Sequence, residues 1–225
     1  MGKRGPKPKY VISTKWRSGL AYAVGLLASD GCLSCDGRHI DLTSIDIDQL
    51  QNFNKALGKK LNIGYKDRNS MSHNTAYRVQ ISSVLFYQFL ESIGFTKKKS
   101  LTIKKIVLPN KYFFDFLRGL FDGDGCSYSY WDKRWESSFM FYIGFCSGSV
   151  QFIDWLRGKI KSLVKISGHV TKTKRRNHYY QLKYSKYEAV KLTKFMYHDG
   201  KVIKLKRKYL KIMATLGTMK QLGEL

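Results

Sequence analysis

Acidic side chains are scarce in this chain. The 16 Asp and Glu residues stand against 41 Lys and Arg residues, which gives a formal net charge of +25 at pH 7. An excess of this size is larger than an ordinary solvated surface needs, and it predicts a polyanionic partner. Aromatic residues make up 14% of the chain, so stacking rings can lie among the cations. The alternative is a merely basic protein without such a partner.

Long hydrophobic runs are also missing. The longest apolar stretch, from Leu20 to Ala28, is far shorter than the ~20 residues that span a bilayer. We therefore expect no membrane contact. Residues 1–17 are basic and lack the apolar core of a signal peptide, so an intracellular, non-secreted protein is expected. Residues 1–15 are interpreted as a basic N-terminal arm that follows phosphates.

Cysteine is limited to four residues, which we expect to stay reduced. The Cys32-x-x-Cys35 spacing is typical of zinc sites, but no second pair follows at the distance a zinc finger requires. The Asp-x-Asp spacing at 122–124 fails as an EF-hand loop, because Lys133 stands where the twelfth position needs Glu. A structural zinc site and an EF-hand are therefore not expected.

The apolar stretch belongs to a ten-residue motif that occurs twice. The two copies, residues 22–31 and 116–125, lie 94 positions apart. Each is predicted to be an apolar helix with two small residues four positions apart, on one face. Such faces allow two helices to approach until their backbones nearly touch. The predicted helix-interface residues are Gly25 and Ser29 in the first copy and Gly119 and Gly123 in the second.

Both motifs end on Asp-Gly, at Asp30 and Asp124. The following glycine suits the left-handed conformation that commonly closes a helix. Two motif helices packed side by side would bring the two aspartates together at one end. Paired carboxylates beside the negative ends of two helix dipoles attract divalent cations. Asp122 is a further candidate ligand, although Ala28 stands at its position in the first motif.

These two motifs resemble the signature of the LAGLIDADG homing endonucleases, in the single-chain form that carries two motifs. The first copy departs from the pattern, with Ala28 where an acid is usual and Ser29 where Ala or Gly is usual. The resemblance makes Asp30 and Asp124 the metal ligands. It also implies a Lys or Gln near the metals on the last strand of each half, which points to Lys183 and Gln80 as catalytic residues.

The sequence around the motifs repeats as well, with an offset that rises to 103 or 104 because about nine residues are extra near Tyr128 to Ser138. This duplication predicts an α+β fold of two pseudo-twofold-related αββαββα halves, packed through the two motif helices. The family resemblance implies that their antiparallel strands form a β saddle for DNA. The predicted segments are the arm 1–15, a first half 16–96, a linker 97–109, a second half 110–212 and a C-terminal tail 213–225.

Each predicted hairpin has one apolar face and one polar face. A curved antiparallel ribbon fits the major groove, where polar side chains can contact base edges, while Lys and Arg neutralise phosphates. The alternative for these strands is a solvated face. The candidate DNA-binding residues are Arg38, His39, Thr43, Lys66, Arg68, Arg78, Tyr128, Tyr130, Lys172, Lys174, Arg175, Arg176 and Gln181.

The leading hypothesis is a monomeric, intron- or intein-encoded endonuclease that cuts both strands of a long, asymmetric duplex. Carboxylate-bound Mg²⁺, or Mn²⁺ or Ca²⁺ in the same sites, would stabilise the developing charge and activate water. Cleavage across the minor groove, about 6 Å wide, would leave 3′ overhangs, as the resemblance also implies. The alternatives are a maturase that binds intron RNA and a non-cleaving nucleic-acid-binding protein, such as a transcription regulator, on the same scaffold.

Overall fold

The computed structural model describes residues 12–66, 76–97, 99–135, 138–173 and 179–224, without the side chains of residues 66 and 100. The first half contains α1 (Ser18–Asp30), β1 (Gly31–Leu33), β2 (His39–Ser44), α2 (Ile47–Leu57), β3 (Ile63–Lys66), β4 (Ala76–Ser82) and α3 (Val84–Ser92). A short helix, α4 (Lys99–Thr102), lies between the halves. The second half contains α5 (Phe113–Asp124), β5 (Cys126–Trp131), β6 (Phe139–Ser147), α6 (Val150–Val164), β7 (His169–Lys172), β8 (Tyr180–Ser185), α7 (Lys186–Met196) and α8 (Lys206–Gln221).

Each half forms a four-stranded antiparallel sheet with the same strand order, β1-β2-β4-β3 and β5-β6-β8-β7. The registers agree too. Asp41 lies opposite Gln80 in the first sheet, as Gly144 lies opposite Lys183 in the second. The predicted α+β fold of two repeated αββαββα halves is confirmed, with α8 added at the end. No helix among the described residues is long and apolar enough to cross a membrane.

The two motif helices, α1 and α5, pack with their backbones in direct contact. A methyl group on Gly25 would collide with the Phe116 carbonyl and lie 2.7 Å from the backbone nitrogen of Leu120. A methyl group on Gly119 would collide with the carbonyl of Tyr22. Small residues are therefore required where the helices cross, because a side chain would push them apart.

The glycines after the motif aspartates do not have the predicted left-handed conformation. Gly31 has φ −75° and Gly125 has φ −70°, so both are extended. A Cβ atom on Gly31 would lie 2.6 Å from the Leu27 carbonyl oxygen, and one on Gly125 would lie 2.6 Å from that of Phe121. The backbone folds tightly over the last helical turn, and this lack of space, rather than a positive φ, requires glycine.

Asp122 lies inside the helix interface rather than at its end. Its Oδ2 accepts hydrogen bonds from the Tyr22 hydroxyl at 2.6 Å and from the backbone N–H of Leu205 at 2.8 Å. Burial raises the pKa of Asp122 to about 6. The residue fastens the segment before α8 to the motif helices. Its suggested role as a further metal ligand does not fit this position.

We expect Gly25→Ala to destabilise the protein by roughly 3 kcal/mol, because the added methyl group meets backbone atoms that cannot move aside independently. Urea unfolding would measure the loss. Gly158→Ala is the matched control, since Gly158 lies in α6 and an added Cβ there meets nothing within 4 Å. That variant should gain about 0.5–1 kcal/mol from helix propensity. Equal stability of Gly25→Ala and the wild type would contradict the close helix contact.

Candidate functional site

Asp30 and Asp124 end the two motif helices, α1 and α5. Asp30 is half-buried and Asp124 is exposed. A Cβ atom on Gly123, the residue before Asp124, would lie 2.7 Å from Oδ2 of Asp30, which shows how closely the two helix ends approach. Burial raises the pKa of Asp30, and the negative charge of Asp124 raises it further. The structure thus brings the two carboxylates into one electrostatic environment.

Gln49 holds the Asp30 carboxylate in place. Its side-chain amide donates a 2.6 Å hydrogen bond to Oδ2 of Asp30, and this bond lowers the pKa that burial raises. Gln49 is buried in the first turns of α2, next to the end of strand β2. Sequence reasoning did not identify this residue, since nothing in the local pattern distinguishes it from the other polar residues of α2.

Buried Lys99 and half-buried Lys208 close the C-terminal ends of the motif helices. Lys99 donates from Nζ to the carbonyl oxygens of Ala28, at 3.0 Å, and Ser29. Lys208 donates to three carbonyls of the second motif, Phe121 at 2.7 Å, Gly123 at 2.6 Å and Gly125 at 2.7 Å. A cation at this end offsets the negative pole of the helix dipole.

The same two lysines face the paired carboxylates. Burial lowers the pKa of Lys99, while the charges of Asp124 and Asp30 act in the opposite direction. Burial likewise lowers the pKa of Lys208, and both carboxylates again favour its charged form. The two cations therefore help to compensate two acids that would otherwise repel each other. Lys99 lies in the predicted linker, 97–109, and Lys208 lies near the end of the predicted second half, 110–212.

These segments also connect the halves in equivalent ways. After Lys99, the carbonyl of Ile103 accepts a 2.5 Å hydrogen bond from Ser149, the N-terminal cap of α6. Beside Lys208, Arg207 donates a 2.6 Å hydrogen bond to Asp46, the N-terminal cap of α2. Asp46 and Ser149 occupy the same place in the repeat. The segment with Lys99 thus caps α1 of the first half and reaches α6 of the second. The segment with Lys208 caps α5 of the second half and reaches α2 of the first.

The polar face of the first sheet carries Thr43 and Arg78 as well as an ordered group around Asp41. The Gln80 amide donates to Oδ1 of Asp41 at 3.0 Å, and Nε of Arg78 lies 3.8 Å from the same oxygen. Ile40, Leu42, Val79 and Ile81 alternate with these residues and are buried on the other face.

The corresponding face of the second sheet carries Lys183 and Gln181. Burial raises the pKa of the Cys146 thiol, the charge of Asp124 adds to this shift, and the charge of Lys183 opposes it. Lys183 lies opposite Gly144, two residues before Cys146 on the same face of β6, and Cys146 lines a small cavity together with Asp124. Lys183 is therefore on the face of the sheet that is nearest to the second motif aspartate. Its counterpart in the first sheet, Gln80, donates its side-chain hydrogen bond to Asp41.

Tyrosines cover the outer part of the same face. Tyr128 and Tyr142 stack with ring centroids 4.9 Å apart, and Tyr130 lies 6.1 Å from Tyr142. Burial, followed by the hydrogen bond with Tyr130, raises the pKa of Tyr142 to about 12. The predicted contacts Tyr128 and Tyr130 thus belong to one ordered aromatic group, and sequence reasoning missed Tyr142, its third member.

Two other predicted contact residues, Arg38 and His39, are held by neighbours, and a third, Lys172, lies on a different face from the one expected. Arg38 donates to the Ser82 hydroxyl at 2.6 Å, and the ring of His39 pairs with Asp36. Lys172 lies opposite Tyr180 in the register, which places it on the face opposite to Gln181. The remaining predicted contacts lie outside the described residues: Arg68, Lys174, Arg175, Arg176 and the side chain of Lys66.

The donor set at the helix ends fits a hard divalent cation. Within the described ranges, no cluster of three or more His, Cys, Asp or Glu residues forms a complete protein site. Mg²⁺ does not require one, because it keeps several waters and binds through one or two carboxylates together with substrate phosphates. Asp30 and Asp124 supply that number of carboxylates at the adjoining ends of the motif helices.

Comparisons with known proteins support this description at the level of fold. No family model and no curated protein sequence matches the chain. Among solved structures, the I-LtrWI LAGLIDADG homing endonuclease bound to target DNA aligns with a TM-score of 0.60 at 12% identity, covering 91% of both chains. I-DmoI in complex with DNA and Ca aligns with a TM-score of 0.53 at 15% identity, covering 81% of this chain and 91% of that one.

A third structure is the N-terminal LAGLIDADG domain of DUF199/WhiA, with a TM-score of 0.50 at 14% identity over 81% of this chain and 83% of that one. Identities this low establish the fold alone. The duplicated halves, the paired motif helices and the two four-stranded sheets are features of the chain itself. The resemblance shown by the two motifs is confirmed: the chain has the fold of the LAGLIDADG homing endonucleases.

Proposed function

We propose that this protein is a site-specific DNA endonuclease that hydrolyses both strands of a long, asymmetric duplex target. The observation that carries the proposal is the pairing of Asp30 with Asp124 at the adjoining ends of the two motif helices. A protein that only bound DNA would not need two like charges brought together at the pseudo-twofold axis. Structures of the same fold that are bound to target DNA support duplex DNA as the partner.

The two sheets would each read one half of the target. Their polar faces carry side chains that suit base edges in the major groove, while the net charge of +25 neutralises phosphates. The faces differ in chemistry, with an Asp41–Arg78–Gln80 group in the first sheet and a tyrosine group in the second. The half-sites are therefore expected to differ in sequence. Because both halves belong to one chain, a monomer suffices.

Asp30 and Asp124 would hold Mg²⁺, for which Mn²⁺ or Ca²⁺ can substitute; structures of I-DmoI with DNA contain Ca and Mn. When bound, the cation supplies Lewis-acid stabilisation of the phosphate charge and a more acidic water. Gln49 orients the Asp30 carboxylate, and the charges of Lys99 and Lys208 partly offset the repulsion between the two carboxylates. Lys183 would position water or stabilise developing charge, with a lesser share for Gln80. With the two adjacent carboxylates at the minor groove, each strand would be cut on one side of that groove, which leaves 3′ overhangs.

The test is to incubate the protein with plasmids that carry a randomised target library and Mg²⁺, and to sequence the linear products. We expect specific cleavage that Asp30→Asn and Asp124→Asn each reduce at least about a hundredfold, the scale of losing a group that stabilises transition-state charge. Asp154→Asn, an exposed acid on α6, is the control and should retain full activity. An intact library, or aspartate variants as active as the wild type, would refute the proposal. Binding of intron RNA without cleavage would favour the maturase alternative.

DNA binding by the polar face of the first sheet is tested by removing one charge. Arg78→Gln should weaken binding to duplex DNA and reduce the slope of log K against log salt concentration by about 1. Fluorescence anisotropy with a labelled duplex, over a range of NaCl concentrations, measures both. Lys161→Gln is the control, because it removes one charge from the exposed side of α6. It should change the affinity and the salt slope by less than half as much as Arg78→Gln does. Equal effects of the two variants would argue against the sheet as the DNA-binding surface.

A further inference from the structure

The two halves share a backbone but place different side chains beside their aspartates. The shared register of β2 and β6 makes Ser44 equivalent to Ser147. Counting on along the chain, Gln49 is then equivalent to Phe152, and both residues lie in the first turns of their helices, α2 and α6. The position that holds an amide next to Asp30 therefore holds a phenyl ring in the other half.

In the first half, a short series of hydrogen bonds fixes the amide. The Asp46 backbone N–H donates to the Ser44 hydroxyl at 3.0 Å, and that hydroxyl donates to Oε1 of Gln49 at 2.7 Å. With its oxygen thus engaged, the Gln49 amide directs its nitrogen to Oδ2 of Asp30 at 2.6 Å. The carboxylate retains its other oxygen for a cation, since two oxygens offer about four lone-pair sites.

The second half has the same turn after β6, but Phe152 stands where the first half has Gln49. The Ser149 backbone N–H donates to the Ser147 hydroxyl at 3.1 Å, as Asp46 does to Ser44. Phe152 then lines a small cavity of about 70 Å³ together with Ser147 and Asp124. Its ring has no N–H or O–H group that could orient the carboxylate, and Asp124 is the more exposed of the two acids.

We propose that the two DNA strands are cut at unequal rates, and that Gln49 is the positioning residue that makes the centre at Asp30 the faster one. The inference rests on the proposed function and extends it. A carboxylate held by a charge-assisted hydrogen bond is already in position when the DNA binds, whereas one that lacks the bond from Gln49 must be ordered during the reaction. A nicked duplex is therefore an intermediate, and the centre at Asp124, beside Phe152, cuts the second strand.

The experiment uses the full chain and a duplex target selected from the library, with a different fluorophore at the 5′ end of each strand. Single-turnover cleavage at saturating protein gives a rate for each strand. In the wild type one strand should be cut several-fold faster. Gln49→Met, which keeps the size of the side chain, should slow that faster strand several-fold and so bring the two rates close together. The other strand should change less than twofold.

A second variant and a control separate positioning from damage to the fold. Ser44→Ala removes the hydroxyl that fixes the amide, and it should slow the same strand to a smaller extent. Gln51→Met makes the same exchange at an exposed position of α2 and should leave both rates unchanged. Thermal melting of each variant shows whether it is folded, and a merely structural role for Gln49 would lower both strand rates together.

Two results would overturn the inference while the endonuclease assignment stands. The first is that the wild type cuts both strands at equal rates. The second is that Gln49→Met slows the cleavage of both strands equally, or slows only the strand that the wild type cuts more slowly. Complete absence of cleavage is a different result, because it would remove the proposed function and this inference with it.

Discussion

The structure depends on the contact between the two motif helices, α1 and α5. Glycine at positions 25 and 119 lets backbone lie against backbone, so the helix ends arrive within a few ångströms of each other. That geometry places two carboxylates and two negative helix poles in one small region, an arrangement that costs free energy by itself. The cost is offset by Lys99 and Lys208, which reach the last carbonyls of both helices, and it creates a site that favours a divalent cation.

The duplication visible in the sequence predicted the element order, the helix pairing and the equivalence of Gln80 with Lys183, because apolar periodicity and spacing are local signals. The residues that complete the site were not predictable in the same way. Gln49, Lys99 and Lys208 reach the aspartates only through tertiary contacts, from a helix of the same half and from the two connecting segments. The glycines after Asp30 and Asp124 were correctly expected at the helix ends, but for the wrong reason, since steric crowding rather than left-handed backbone selects them.

An internal repeat keeps the backbone of both halves alike while their side chains diverge. The hydroxyl that receives the helix-start N–H is retained as Ser44 and Ser147, whereas the next position has become Gln49 in one half and Phe152 in the other. The sheets have diverged in the same manner, one towards an ion-paired surface and the other towards stacked tyrosines. A single chain can therefore combine a symmetric scaffold with an asymmetric substrate, which a homodimer of one half could not do.

The pairing of the aspartates can be measured directly in crystals of the protein grown with Mn²⁺, using the anomalous signal of the metal. The close helix contact predicts an anomalous peak within coordination distance, about 2.2 Å, of carboxylate oxygens from Asp30 and Asp124. Aspartates that are well separated, or a metal bound elsewhere while these two carboxylates remain without one, would contradict the central claim.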